Sequence, residues 1–432
     1  MKTVKEELLF SKVDKKYLRI KHKSGLTILL CPMSEYNSVY ALFGTKYGSI
    51  NTKFKTSADD DFTCVPDGIA HFLEHKLFEG EVEDAFVSYS RTGANANAYT
   101  SFDRTCYLFS ASEKFEESLE ILLNFVTHPY FTKETVDKEQ GIIGQEIKMY
   151  EDNPSWCVFL NLLKCLYWQH PVRIDIAGSV ESISEITPEL LYKTYNTFYN
   201  LNNMVLSVAG NFEPDSVLKL CDKLLKQSEN VEIENVFPDE PSDVYLKKLE
   251  KELDISMPYF EIGFKETPDK QNILRGQLLN EMLLEMIFGE STDFYKKNYD
   301  EGIINSTFGT EVMAGDGYLI NIFGGESEDP EKVYDVICEE IDRVKKEGLC
   351  EERFEEIRRQ FYGKGVFSFN SVEGIATAML SAHFAEKNEF DVLSVTEGIT
   401  FNELCERFEE QFVSERSSIS VVVPTKTEKG QD

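Results

Sequence analysis

The stretch GIAHFLEHKLFEG, residues 68–80, contains His71, Glu74 and His75 within five positions. On a helix, residues four apart lie on one face, one turn from each other, so both imidazoles can reach the same metal ion. Glu74 lies on that face as well, close enough to hold a water molecule on the metal. The stretch therefore predicts a metal site, although two structural histidines on a helix remain the alternative.

The residues around this motif predict that it is helical. Ile69, Phe72, Leu73 and Leu77 recur at helical spacing and form an apolar stripe that the histidines flank. Asp67 is the expected N-cap, and Gly80 the expected end of the helix. The histidines should then lie half-buried at the edge of a core, where a ligand is held in a fixed orientation.

A hydrolytic zinc site needs a third protein ligand beside an open position for water. The best candidates lie in TKETVDKEQGIIGQEIKMYED, residues 132–152, whose pattern predicts a second helix. Glu139 and Glu146 are seven residues apart there and share one face, two turns from each other. Acidic residues on helices are usually a solvated surface, so that alternative stays open from the spacing alone.

The order of these segments resembles the pitrilysin/insulinase family of zinc peptidases, whose inverted zincin motif is His-x-x-Glu-His. Further segments match the family pattern in order, and three other stretches are closest in detail to the YmfH-like bacterial branch. The matching segments begin at Asn95 (NANAYTSFDRTCYLFS), His170 (HPVRIDIAGSVESISEITPELL) and Tyr199 (YNLNNMVLSVAGNF); the three closest to that branch are KHKSGLTILLCP, GIAHFLEHKLFEG and EQGIIGQEIKMYEDNP.

The resemblance implies a role for each of the five residues. His71, His75 and Glu146 are expected to be zinc ligands, and Glu74 the general base. Glu139 is expected to complete the catalytic set as a carboxylate that supports the ligands. Zinc held in this way lowers the pKa of bound water to about 7, Glu74 accepts its proton, and the metal polarises the scissile carbonyl. Peptide-bond hydrolysis is the reaction that this implies.

A substrate-binding element is predicted in GANANAYTS, residues 93–101. Small residues alternate there with Asn95 and Asn97, which favours an exposed edge strand over a packed core strand. Such an edge can accept an extended peptide as an added strand. In the resembled family the segment matching Asn97 and Ala98 has this role. An ordinary small-residue turn is the alternative.

Length, composition and charge narrow the class of protein. A chain of 432 residues predicts two or three domains. It contains no run of eighteen apolar residues, so we expect no membrane span. The charged N-terminus lacks a signal peptide, and nine cysteines without a CxxC pair resemble reduced thiols, so we expect a cytoplasmic protein. A net charge of −31 argues against nucleic acid and anionic membranes as partners. It weakly favours basic peptides as substrates.

The two halves of the chain repeat a similar order of elements, which predicts a duplication: an α+β fold of two homologous domains, each a mostly antiparallel sheet covered by helices. The predicted domains are 1–226, with the metal site, and 245–432, joined by an acidic linker at 227–244. Aligning HFLEHKLFEG with EMLLEMIFGE replaces the motif residues by Glu281, Leu284 and Glu285. A similar alignment places Lys364 opposite Glu146. The second domain should therefore hold no metal.

One departure from the family concerns the second half. Self-sufficient members carry there an Arg and, seven residues on, a Tyr that contact the substrate. In FYKKNYDEGIINSTFG, aligned on Gly302, those positions hold Asn298 and Asn305, and Tyr295 and Tyr299 lie at other offsets. Either this alignment is shifted by a few residues, or the chain lacks half of the catalytic set. The family includes heterodimers in which one subunit brings zinc and the other brings Arg and Tyr. A paralogous partner subunit that supplies this pair is therefore expected.

Three functions remain open from the sequence. The first is a zinc endopeptidase acting on peptides or unfolded protein, the second a non-catalytic scaffold or core subunit, and the third a maturation factor for one peptide or modified protein. The remaining histidines are expected to be structural or at the surface: His22 and His383 at the surface, His128 and His170 in structural positions.

Overall fold

The fold was analysed in a computed structural model that describes residues 3–10, 15–269, 271–386 and 391–426. These residues form two compact units. The first contains the described residues of Met1–Ile147, Asp175–Val236 and Lys364–Val392, and the second those of Lys148–Ile174, Phe237–Gly363 and Leu393–Asp432.

The described residues contain fifteen strands and fifteen α-helices. The strands are β1 (Val4–Phe10), β2 (Lys15–Lys21), β3 (Thr27–Pro32), β4 (Val39–Thr45), β5 (Lys53–Thr56), β6 (Thr63–Cys64), β7 (Asn95–Thr100), β8 (Thr105–Ala111), β9 (Met204–Gly210), β10 (Ile233–Asn235), β11 (Lys248–Leu253), β12 (Tyr259–Glu266), β13 (Gly309–Gly315), β14 (Tyr318–Glu326) and β15 (Ser417–Pro424). The helices are α1 (Ile69–Phe78), α2 (Ala85–Thr92), α3 (Phe115–Thr127), α4 (Lys133–Glu151), α5 (Pro154–Leu166), α6 (Val180–Ser184), α7 (Pro188–Phe198), α8 (Pro214–Leu224), α9 (Ile273–Phe288), α10 (Asp293–Asp300), α11 (Pro330–Glu347), α12 (Glu351–Ser368), α13 (Val372–Phe384), α14 (Asp391–Gly398) and α15 (Phe401–Glu410).

The first unit is built on a seven-stranded sheet in the order β1-β2-β3-β9-β4-β8-β7. Only β3 and β9 pair in parallel; the other neighbours are antiparallel. Every residue of β9 is buried, as expected for a central strand with both faces covered. The main core lies between one sheet face and helices α1, α3 and α7, with Phe43, Phe109 and Leu206 from the strands and Phe72 and Leu122 from the helices.

The second unit repeats the central part of that sheet. Its five strands run in the order β11-β15-β12-β14-β13, which matches β3-β9-β4-β8-β7 position for position. The pairing directions match too, with β11 and β15 parallel and the other pairs antiparallel. Helices occur in the same places along the chain, so that α9 corresponds to α1 and α12 to α4. The predicted α+β duplication is confirmed.

Each unit takes one helix from the other half of the sequence. In the first unit, α13 covers the second sheet face, and Ser207 of β9 donates a hydrogen bond to the carbonyl oxygen of Ala376 at 2.7 Å. In the second unit, α5 packs on β12 and β15. A glycine permits the close approach in both: a Cβ at Gly44 would lie 2.9 Å from Cδ1 of Leu380, and one at Gly263 2.8 Å from Cδ1 of Leu166.

The compact units therefore differ from the predicted division at 1–226 and 245–432 by one exchanged segment in each direction. Hydrophobic periodicity identifies α5 and α13 as apolar helices but does not tell which sheet each one covers. The acidic stretch 227–244 is built into both units. Its strand β10 pairs with β5, and Glu240 forms an ion pair with the buried Lys265 at 2.7 Å.

The structure corrects one expectation about the histidines. His22, expected at the surface, is only 1% exposed, because it lies in the β2–β3 turn with Nδ1 2.8 Å from Ser24 Oγ and Nε2 3.1 Å from Asp222 Oδ1. His170 is buried and bonded to the carbonyl oxygen of Asp316, in keeping with a structural role.

The nine cysteines are all unpaired. Across the described helices, none has the length and apolarity needed to cross a bilayer.

Candidate metal centre

Helix α1 forms where the sequence predicts it, with Ile69, Phe72, Leu73 and Leu77 buried against the sheet. Its start differs from the prediction, because Gly68 and not Asp67 occupies the N-cap. Gly68 has a φ of 89°, and a Cβ there would lie 2.4 Å from the carbonyl oxygen of Ala177, so only glycine fits this left-handed position. The tight turn fixes where the helix begins.

Helix α4 carries the two glutamates on the side that faces α1. Val136, Glu139, Ile143 and Ile147 are buried along it, and Glu146 is half-buried. Glu139 is only 8% exposed, and a carboxylate is rarely buried to this extent unless it has a partner. This burial argues against the alternative that the acidic face of α4 is merely solvated.

The structure brings His71, His75 and Glu146 together. One ligand atom from each lies within 4.8 Å of the other two. Nε2 of His71 is 3.7 Å from Oε1 of Glu146, and Nε2 of His75 is 3.5 Å from Oε2 of the same carboxylate. Among the residues that the structure describes, this is the only group of three histidine, cysteine, aspartate or glutamate side chains arranged to share an ion. The predicted ligand set thus forms one cluster.

The surroundings of the two imidazoles suit metal binding. Burial, with a smaller effect of His75, lowers the pKa of His71 to about 3, so its ring is neutral at physiological pH. Nδ1 of His71 is buried without a partner among the described residues. Burial would lower the pKa of His75 as well, but the hydrogen bond to Glu139 and the charges of Glu146 and Glu74 raise it. A cation at Nε2 of both rings would relieve the crowding of acidic groups around His75.

Glu139 contacts the second histidine from its other side. Its Oε1 lies 3.1 Å from Nδ1 of His75, so the imidazole is held between Glu139 and Glu146. A carboxylate on the non-ligating nitrogen fixes the tautomer and ring orientation of a metal ligand. Glu139 therefore has the position of a supporting carboxylate.

Glu74 is oriented by a residue that the sequence analysis did not single out. The hydroxyl of Thr100 donates a hydrogen bond of 2.5 Å to Oε2 of Glu74. Burial raises the pKa of Glu74, and this hydrogen bond works in the opposite direction. Thr100 is the last residue of β7, so the carboxylate of Glu74 is tied to the end of that strand. No local pattern signals a contact of this kind.

Strand β7 forms the predicted sheet edge, since in the described residues it pairs with β8 alone. Asn95 and Asn97 are exposed, and Ala96 and Ala98 are half-buried. The backbone N–H of Ala98 donates to Oδ1 of its neighbour Asn97 at 2.9 Å rather than to β8. This N–H therefore points to the open side of the edge, where an added strand would bind.

The second half has the same helices without a cluster of this kind in its described residues. Asn298, at the position of the family's Arg, is 3% exposed, and its amide donates to the carbonyl oxygen of Phe294. Asn305, at the position of the Tyr, accepts hydrogen bonds from the backbone and the hydroxyl of Thr307. Both asparagines are thus engaged within their own turns.

Comparison with known proteins agrees with this geometry. Residues 65–179 match the family model described as Insulinase (Peptidase family M16), and residues 185–361 match Peptidase M16 inactive domain. The chain is 39% identical over 410 residues to the uncharacterized zinc protease YmfH of Bacillus subtilis, covering 94% of this chain and 96% of that protein. The chain belongs to the insulinase (M16) peptidase family.

A solved structure matches almost the whole chain, and a further relative matches about a third of it. A crystal structure of a putative M16-like peptidase from Alicyclobacillus acidocaldarius matches with a TM-score of 0.90 and 31% identity, covering 98% of this chain and 99% of that one. The mitochondrial-processing peptidase subunit beta of Caenorhabditis elegans is 30% identical over 161 residues, 36% of this chain and 35% of that protein. The predicted family, including its resemblance to YmfH, is confirmed.

Proposed function

We propose that this M16 chain is a zinc-dependent endopeptidase in which Glu74 is the general base. The observation that carries the proposal is the convergence of His71, His75 and Glu146, from two separate helices, on one point. Relatives across most of the chain are called zinc proteases. The family also includes members described as inactive, so activity is part of the proposal.

The donor set fits zinc. Two imidazole nitrogens and one carboxylate are a ligand set of catalytic zinc sites, which leave the fourth position open. Nε2 of both histidines faces Glu146, and Nδ1 of His75 is hydrogen-bonded to Glu139. Nε2 is therefore the nitrogen of each ring that would bind the metal ion. When bound, zinc lowers the pKa of water and polarises a carbonyl group.

Glu74 is placed to handle the proton. Its carboxylate lies one helical turn from His71 and is held by Thr100. A buried carboxylate with a raised pKa accepts a proton from water more readily than a solvated one, and can return it to the amine that leaves. Hydrolysis of a peptide bond requires one proton to leave the attacking water and one to reach the leaving amine, and Glu74 is proposed to carry out both transfers.

The substrate is proposed to be an extended peptide or an unfolded segment that pairs with β7. Main-chain hydrogen bonds at Asn97 and Ala98 would hold it in register, which gives affinity with little selectivity for side chains. The net charge of −31 favours basic peptides at low ionic strength. Nucleic acid and membranes are not part of the proposal, and the location proposed is the cytoplasm.

A paralogous partner subunit is the second element of the proposal. Asn298 is buried and Asn305 is bonded within its own turn, so neither resembles a cationic or phenolic group that contacts a substrate. A second chain of the same family, bringing an Arg and a Tyr, would complete the site. The metal and the base would then come from this chain, and the groups that clamp the substrate from its partner.

The proposal is tested by zinc content and peptide cleavage. The purified chain is analysed for bound zinc and assayed on a library of quenched fluorescent peptides, alone and mixed with a paralogous chain of the same family. We expect one zinc per chain, cleavage that depends on the partner, and a loss of about 10²–10⁴-fold in Glu74→Gln with zinc retained. A chain that holds zinc but cleaves nothing with the partner would instead be a scaffold subunit, and cleavage of one peptide alone would indicate a maturation factor.

A further inference from the structure

Helix α1 contains a fully buried lysine directly after the second histidine of the motif. Lys76 is 0% exposed, and its ammonium group contacts the carboxylate of Glu79 and, at 3.3 Å, the carbonyl oxygen of Thr135. Its neighbours on the helix are the core residues Phe72 and Leu77. The cation is thus enclosed where α1 meets the first turn of α4.

A cation in this place is costly. Transferring an ammonium group from water into a protein interior costs several kcal/mol even after relaxation, and a buried ion pair is often no more stable than apolar side chains of similar volume. A methionine would fill the position of Lys76 without that cost. The stability of the helix therefore does not account for a lysine here, and its contacts point to a different role.

Those contacts lead to the helix that carries the third ligand. Thr135 lies in the first turn of α4, four residues before Glu139. His75 contacts Glu139 and Glu146 of the same helix. Two adjacent residues of α1 therefore hold α4: Lys76 contacts its first turn, and His75 contacts the two glutamates further along it. Two separate points of attachment fix both the distance of α4 from α1 and its rotation about its own axis.

We propose that Lys76, paired with Glu79, is a positioning residue for the metal centre: it holds α4 so that Glu139 and Glu146 meet His75. The inference rests on the proposed zinc site. Lys76 itself binds neither metal nor substrate, because its ammonium group is occupied by Glu79 and Thr135. Without it, α4 would still pack through Val136 and Ile143, but with Glu146 less well placed.

The experiment compares zinc affinity with stability. Zinc dissociation constants are measured by chelator competition for the wild type, Lys76→Met and a control, Lys138→Met, which alters an exposed lysine of α4. Chemical unfolding of the zinc-free proteins is measured alongside. We expect Lys76→Met to bind zinc at least tenfold more weakly while the zinc-free form unfolds at a similar or higher denaturant concentration. Visible absorption of the cobalt-substituted protein should change in Lys76→Met and not in Lys138→Met.

Each outcome decides one point. Equal zinc affinity and equal cobalt spectra in Lys76→Met and the wild type would overturn the inference, whatever the stability. A wild type that binds no zinc would overturn the proposed function instead. If Lys76→Met does not fold, Glu79→Gln replaces it, since it leaves the ammonium without its charged partner; we expect a severalfold loss of zinc affinity, and an unchanged value would count against the positioning role.

Discussion

Oε1 of Glu139 lies 3.1 Å from Nδ1 of His75, while Oε2 of Glu146 lies 3.5 Å from Nε2 of the same ring. His75 is thus held at both nitrogens by two carboxylates of one helix. His71 has no such support, since its Nδ1 is without a partner among the described residues. The two proposed histidine ligands therefore differ in how firmly they are oriented, and the difference depends on Glu139.

Replacing Glu139 should weaken zinc binding without removing a ligand. In Glu139→Gln the charge that orients His75 is lost while the shape is kept, and loss of such a partner typically costs 10–100-fold in metal affinity. Chelator competition measures the effect. Glu134→Gln, at an exposed position of the same helix, is the control and should bind zinc like the wild type. Equal affinities in both variants would show that Glu139 does not support the site.

Blocking the open side of β7 should impair substrate binding and leave the metal centre intact. Ala98→Pro removes the N–H that points away from β8, and proline is tolerated at such edge positions. We expect about a tenfold loss in kcat/KM on unstructured peptides, mainly through KM, with zinc content unchanged. Ala98→Ser keeps the N–H and should remain close to wild type. If both variants cleave equally well, peptides do not pair with this edge.

A buried carboxylate in the second unit should make stability depend on pH. Burial, with a smaller effect of Glu311, raises the pKa of Glu261 to about 8, and its Oε2 has no partner in the described part of the chain. Because the carboxyl group binds its proton more tightly in the folded chain than in the unfolded one, its contribution to stability is complete below a pH of about 4.5 and is lost as the pH rises from there to about 8.

The expected result is a denaturation midpoint that falls between about pH 5 and about pH 8 in the wild type, and falls less in Glu261→Gln. The exposed Glu250→Gln is the control, because it removes the same charge from the surface of the same sheet. If the denaturation midpoint changes equally with pH in the wild type and in Glu261→Gln, Glu261 is ionised over the whole pH range and its pKa is not raised.

The helix exchange predicts how the isolated first half behaves. Residues 1–226 lack α13, so the sheet face around Ser207 and Leu42 would be bare, and α5 would have no sheet to cover. We expect this half to aggregate. A chain in which residues 364–392 follow the first half through a flexible linker should be more soluble and show a cooperative unfolding transition. Equal behaviour of the two chains, by size-exclusion chromatography and thermal unfolding, would contradict the exchange.

Local patterns were sufficient to predict the elements that bear the site. The spacing of Ile69, Phe72 and Leu77 predicts α1, and the alternation around Asn97 predicts the edge strand. The ligand candidates follow from positions on one helix face, which depend only on residues a turn or two apart. The duplication was visible because both halves repeat the same order of strands and helices.

Contacts between distant segments could not be predicted in this way. Thr100 and Glu74 are 26 positions apart and meet only because β7 lies beside α1. Lys76 looks like a surface residue in sequence, since lysine is rarely buried. The sequence predicts His22 at the surface, because nothing near it in the chain indicates a contact with Asp222, 200 positions away. In each case the partner is supplied by the tertiary fold.

The hydrogen bond from Ser207 to the carbonyl oxygen of Ala376 spans 169 positions and has a consequence for synthesis. Domains usually fold from the N-terminus as they leave the ribosome. Here the metal-bearing unit cannot close its second sheet face until α13 has emerged, long after β9. The nascent first half must therefore expose an apolar surface while the residues between β9 and α13 are made, and chaperones that bind such surfaces could engage it during that interval.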